Sequence, residues 1–197
     1  MKTTKKDRDM LIAITLGDGW LSKHGHLEVW HSIHQKEYTL MKYEKIKKFC
    51  PSGILYRKNS LGKEQVGFRT KRLPFLKLLR RILYPEGKKV FSGRLLKRLG
   101  PEHLAILWMD DGSLTTLKNK KGVKSSSRYT LSLCTSREQC LLVADWIKSL
   151  TGVCPWIRSV RGGKYFSLCF TTGEGRIFSQ VIRPFMCKSM MYKVSQD

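Results

Sequence analysis

Two aspartates hold most of the chemistry this sequence offers. Asp111 ends the stretch Leu104-Ala105-Ile106-Leu107-Trp108-Met109-Asp110-Asp111-Gly112, and Asp18 ends a weaker copy, Leu11-Ile12-Ala13-Ile14-Thr15-Leu16-Gly17-Asp18-Gly19. Each stretch is apolar on every side, which predicts a helix buried against protein. The glycine after the acid is expected to take the left-handed conformation that stops a helix. The acid then lies at the helix C-terminus, where the macrodipole disfavours an anion. A carboxylate kept in an unfavourable place beside an apolar helix suggests a metal ligand, and two copies suggest a shared metal centre. Asp-Gly is also a common turn dipeptide, so one copy alone would carry little. Asp110 has no acidic counterpart, because Gly17 stands at its position in the first copy.

The elements around these acids repeat as well. Residues 7 to 18 read as a helix, Trp20 to Ile33 as a hairpin turning at Lys23-His24-Gly25, and Gln35 to Phe49 as a helix broken by Cys50-Pro51. Ile54 to Ser60 and Glu64 to Thr70 alternate around Leu61-Gly62-Lys63, and Arg72 to Leu83 is amphipathic. From Pro101 the order starts again, with Ser113 to Thr116 and Arg128 to Cys134 as one hairpin and Ser136 to Leu150 as a helix. Cys154 to Val160 and Lys164 to Thr171 form another hairpin, and Gly175 to Val181 a last helix. Phe68-Arg69-Thr70 parallels Phe170-Thr171-Thr172, and the extra length of the second half falls in the loop Leu117 to Ser127. This is an internal duplication. It predicts an α+β fold of two αββαββα repeats, residues 1–87 and 101–197, joined by a basic link at 88–100.

Composition points to the partner. Lys and Arg number 38 against 15 acids, a formal charge of +23, and a polyanion follows from that excess. Nucleic acid fits better than a membrane, since the basic residues are not confined to one amphipathic helix and no apolar run reaches a membrane span. With 197 residues, 41% of them hydrophobic, the chain can bury a proper core. The N-terminus shows no cleavable signal, and the six cysteines show no CxxC pair, which suits reduced thiols inside a cell.

An antiparallel sheet with one buried face leaves a polar face, and such faces read DNA in the major groove. Alternation puts Ile54, Tyr56, Val66 and Phe68 inward, leaving Arg57, Asn59, Gln65, Arg69 and Lys71 as contact candidates in the first half. Arg158, Lys164, Ser167 and Thr171 are the candidates in the second, with Lys120 and Lys121 of the cationic loop as phosphate grips. Paired carboxylates holding Mg²⁺ (or Mn²⁺) would supply what phosphodiester hydrolysis needs.

The two motifs resemble degenerate copies of the signature of the LAGLIDADG homing endonucleases. His31-Ser32-Ile33-His34-Gln35-Lys36-Glu37-Tyr38 and Trp108-Met109-Asp110-Asp111-Gly112-Ser113 resemble the branch found in phage, bacterial and organellar introns. The resemblance covers nearly the whole chain. It implies motif helices at a central interface, a saddle of DNA-binding sheets, and Mg²⁺-dependent cleavage of both strands of a long site, leaving four-base 3′ overhangs. By motif position the metal-binding acids are Asp18 and Asp111; the family's first acid is replaced by Leu16 and Met109. The basic residue the family places near the metal waters is assigned to Lys89 and Lys188. The resemblance also implies a monomer acting on duplex DNA in a phage-infected or bacterial cytoplasm or an organelle. Family members also serve as intron maturases, so intron RNA is an alternative partner, and a regulator on the same scaffold is a third reading. A zinc site built from His24, His26, His31 and His34 lacks the cysteine pair that would complete a tetrahedral set.

Overall fold

The computed structural model describes residues 3–118 and 124–194. The chain divides into two compact units, Met1–Lys89 and Val90–Asp197. Residues 90–100, read from the sequence as part of a link, fold within the second unit. Leu95, Leu96 and Leu99 are buried, and the Trp146 indole donates to the Leu99 carbonyl at 2.9 Å.

The first unit begins with α1 (Lys5–Leu16), whose residues from Met10 to Leu16 are all buried. Its start is fixed by a reciprocal cap: Asp7 N donates to Thr4 Oγ1 at 3.1 Å, and Thr4 N donates to the Asp7 carboxylate at 2.7 Å. The strands β1 (Trp20–Leu21), β2 (Leu27–Ser32), β3 (Ile54–Lys58) and β4 (Glu64–Arg69) form an antiparallel sheet in the order β1-β2-β4-β3. Val29 faces Phe68 and Phe68 faces Ile54 across the ladder, so one face carries the core. Tyr56 shares that face but stands at its edge, 60% exposed, rather than in the core. Helix α2 (Lys36–Ile46) packs on β2 and β4, and α3 (Pro74–Leu83) buries Leu76, Leu79 and Leu83. Arg80 ties α3 to β1 by donating to the Leu21 carbonyl at 2.8 Å.

The second unit holds α4 (Gly93–Leu96), α5 (Pro101–Asp111), β5 (Gly112–Lys118), β6 (Lys124–Thr135), α6 (Arg137–Thr151), β7 (Trp156–Val160), β8 (Tyr165–Phe170) and α7 (Thr172–Ile182). Its sheet runs β5-β6-β8-β7, the same order as in the first unit. Much of what the sequence suggested was loop between Leu117 and Ser127 is strand, because β6 begins at Lys124 and pairs along β5. The core gathers on Trp108, whose ring lies 4.8 Å from Phe178, 6.1 Å from Phe170 and 6.4 Å from Tyr129, centroid to centroid. Gly175 lets α7 lie directly on the Tyr129 ring, since a Cβ there would come within 2.1 Å of it.

All six cysteines are free thiols. Cys50, Cys140, Cys169 and Cys187 are buried, Cys134 and Cys154 exposed. Burial pushes the Cys50 thiol up to about 12 and the Cys140 thiol up to about 11, which makes both unreactive at neutral pH.

Candidate active site and nucleic-acid interface

The two motif helices end in the same manner, though not as a left-handed cap. Gly17 and Gly112 have φ of −81° and −84°, and Gly19 is not among the residues with positive φ. Close approach is what demands glycine. A Cβ on Gly19 would come within 2.4 Å of the Ile14 carbonyl oxygen, and one on Gly112 within 2.4 Å of the Trp108 carbonyl oxygen. In each copy the chain turns off the helix against its own backbone. The Gly19 N–H donates to Ile14 O at 2.9 Å. Asp18 thus sits just past α1 with its side chain 44% exposed, and Asp111 is the last residue of α5, half-buried.

A lysine caps each helix end. Lys89 Nζ donates to Gly17 O at 2.5 Å and Gly19 O at 3.2 Å. In the second unit Lys193 Nζ donates to Met109 O at 2.6 Å and Asp110 O at 3.3 Å. An ammonium on the last carbonyls opposes the negative end of the macrodipole, which lets an aspartate reside there. Lys188, which the family resemblance puts near the metal waters, is exposed at the start of a 3₁₀ turn, Lys188–Lys193, and it is Lys193 that the turn carries inward to these carbonyls. The Trp108 indole donates to the Lys193 carbonyl at 2.9 Å and fixes that turn.

The first unit adds a histidine that motif reading passed over. His31, on the buried face of β2, is 4% exposed, and its Nδ1 lies 3.6 Å from Asp18 Oδ2. Its Nε2 accepts from Lys42 Nζ at 3.2 Å, and Lys42 is fully buried with its nitrogen 4.4 Å from the Tyr38 ring centroid. With Lys42 as donor, His31 carries its proton on Nδ1, towards Asp18. Strict alternation from Leu27 and Val29 places His31 on that inner face, so the signal was present in the sequence.

On the polar face of the first sheet lie Arg57, Gln65 and Arg69, joined by Glu28 and Trp30. Burial raises the Glu28 carboxyl, but the Trp30 indole N–H, Arg69 and His26 outweigh it and hold the group below the usual carboxylate range. Asn59 belongs to the hairpin turn, where its Oδ1 accepts from the Leu61 and Lys63 N–H groups at 2.9 and 3.0 Å. Lys71 is exposed just beyond β4.

In the second sheet, Arg158 is half-buried opposite Ser167. Ser167 itself is only 4% exposed, which removes it from the accessible face on which alternation had placed it. Thr171 has left the strand. It is the N-cap of α7, its hydroxyl bound to Glu174 Oε2 at 2.8 Å. Lys164 is exposed at the β7–β8 turn. Lys120 and Lys121 lie outside the described residues.

Two repeats of one strand order, each with an acid at the end of a buried helix, define a family. The LAGLIDADG DNA endonuclease family matches residues 8–178, and the chain belongs to it. The DNA endonuclease I-ChuI of Chlamydomonas applanata is 24% identical over 216 residues, covering 99% of this chain and 97% of its own. Protein RecA of Mycobacterium shimoidei is 29% identical over 196 residues. That match takes in 94% of this chain but 45% of the RecA protein, so the chain spans under half the length of that relative. In fold, the chain is similar to the homing endonuclease I-WcaI bound to its DNA recognition sequence, with a TM-score of 0.80 at 19% identity, covering 100% of this chain and 89% of that one.

Proposed function

We propose that the chain is a site-specific DNA endonuclease that hydrolyses both strands of a long duplex target with a divalent metal, promoting the spread of the intron that encodes it. The observation that carries this reading is the repeated helix end: an aspartate at the close of a buried helix, with a lysine ammonium on the adjoining carbonyls, once in each unit. Asp18 and Asp111 fit Mg²⁺, a hard cation that takes carboxylate oxygen and keeps several waters. When bound, the metal supplies a polarised phosphate oxygen and an activated water. Lys89 and Lys193 hold the backbone that carries the acids, and His31 aims its Nδ1 at Asp18 from the interior. The basic sheet faces bind the duplex through phosphates and base edges. One acid per unit suits one cut per strand.

The test is cleavage of a plasmid carrying the uninterrupted sequence around the gene's insertion point, with Mg²⁺ and with EDTA. Metal-dependent linearisation is expected. Asp18→Asn and Asp111→Asn should each retain DNA affinity within about twofold while lowering double-strand cleavage by a hundredfold or more, on the order expected for losing a metal ligand. Loss of binding in both variants would mean the acids are structural.

A further inference from the structure

The polar face of the first sheet holds an acid where a phosphate-binding surface should hold none. Glu28 lies opposite Arg69 across the β2–β4 ladder, and its Oε1 accepts from Arg69 Nε at 2.8 Å and from His26 Nε2 at 3.0 Å. Its other oxygen accepts from the Trp30 indole at 3.3 Å. The Trp30 ring lies over Gly67, where a Cβ would come within 2.5 Å of the ring, so the glycine forms its seat. On that ring stacks Arg57, its guanidinium carbon 3.8 Å from the centroid, while Arg57 Nε donates to Gln65 Oε1 at 3.0 Å.

Both arginines are therefore held in one manner, through Nε, and Arg57 through its flat face as well. Charge decides what this arrangement suits. Arg69, neutralised by the adjacent Glu28 carboxylate, is a poor phosphate ligand, because counterion release scales with the net charge delivered to the backbone. It keeps its geometry, however. With the bond made at Nε, the two terminal nitrogens remain as a fork, and a pair of parallel N–H donors matches O6 and N7 of guanine. Holding the side chain beforehand also removes rotamer entropy that binding would otherwise cost.

We propose that Arg57 and Arg69 each read one guanine of the target, with Glu28 the positioning residue for Arg69 and Trp30 for Arg57. This rests on the reading of the chain as a DNA-binding endonuclease. The Arg57 guanidinium reaches across β4 to the Trp30 ring over Gly67, two positions from Arg69, roughly 7 Å at a strand's rise. Stacked bases rise about 3.4 Å each, so the two guanines lie about two base pairs apart.

The experiment is selection of bound duplexes from a randomised pool, followed by sequencing, with the full chain and with Arg69→Lys, Arg57→Lys and Glu28→Gln. The intact protein should enrich two guanines at that spacing. Arg69→Lys keeps the charge but not the fork, so it should lower the preference at one guanine by about tenfold and leave the rest of the site unchanged. Arg57→Lys should do the same at the other. Glu28→Gln should relax the same position as Arg69→Lys while affinity for the whole pool holds or rises, with unchanged thermal unfolding. A uniform loss of affinity across all sequences in the arginine variants would make them phosphate contacts and overturn the inference, as would an enriched site without the guanine pair. Enrichment of no sequence by the intact protein would instead defeat the endonuclease reading, and this inference with it.

Discussion

Lys193 delivers a positive charge to the carbonyls of Met109 and Asp110 from a residue that is 9% exposed, while Lys188, five residues earlier, lies in solvent. The two lysines therefore answer differently to substitution. Lys193→Met strands buried acceptors and removes the charge that offsets the helix terminus. It should cost about 2–3 kcal/mol in urea unfolding, against less than about 0.5 for Lys188→Met. Equal losses would show that the capping contact does not contribute. The choice between these lysines was not legible in the tail Cys187-Lys188-Ser189-Met190-Met191-Tyr192-Lys193, because the winding of a 3₁₀ turn, not spacing from a motif, aims the side chain. His31 was legible in principle by alternation, whereas its partnership with Lys42 required α2 to be laid on β2.

Among the elements, α1 shows how a helix carrying an unfavourable C-terminal acid is secured from its other end. Asp7 caps the first turn with Thr4 and pairs with Lys48 at 2.6 Å, which binds α1 to the segment that follows α2. Burial raises the Asp7 carboxyl, but Lys48 and the bonds with Thr4 outweigh it and hold it below its ordinary value. A carboxyl lowered in the folded state contributes stability above its unfolded value, and that contribution is lost as pH falls through the lowered folded one. Asp7→Asn should therefore destabilise the protein by about 1 kcal/mol at pH 7. The gap should close in acid well below the ordinary carboxylate range, once the native carboxyl is protonated too. Denaturant melts at the two pH values check this; a constant gap would place the effect in packing. The strands and helices themselves were readable as far as they alternate or repeat. The length of β6 was not, since Lys124 to Ser127 is polar on both faces and is made strand by pairing with β5.

At the scale of the whole chain, 38 basic residues against 15 acids favour a polyanion, which in the proposed function is duplex DNA. A surface meeting six or more phosphates should lose roughly a thousandfold in affinity between 50 and 200 mM salt, with a linear log–log slope. Fluorescence anisotropy on a labelled duplex measures it directly. A slope near zero would assign the charge to another polyanion or to solubility. Within that field, Glu28 is the acid whose place on the polar sheet face separates base reading from simple attraction.

By itself the sequence determined the duplication, the α+β order of each half, the inner and outer faces of the strands, and the two aspartates that close the motif helices. These follow from periodicity and local residue type, which act over a few neighbouring positions. The tertiary structure alone decided which lysine reaches each helix end, why glycine follows each aspartate, that Ser167 is covered, and that Arg57 and Arg69 are held by Trp30, Gln65 and Glu28. Those outcomes depend on strand register and on carbonyls brought close by the fold, so they join residues whose separation along the chain carries no signal.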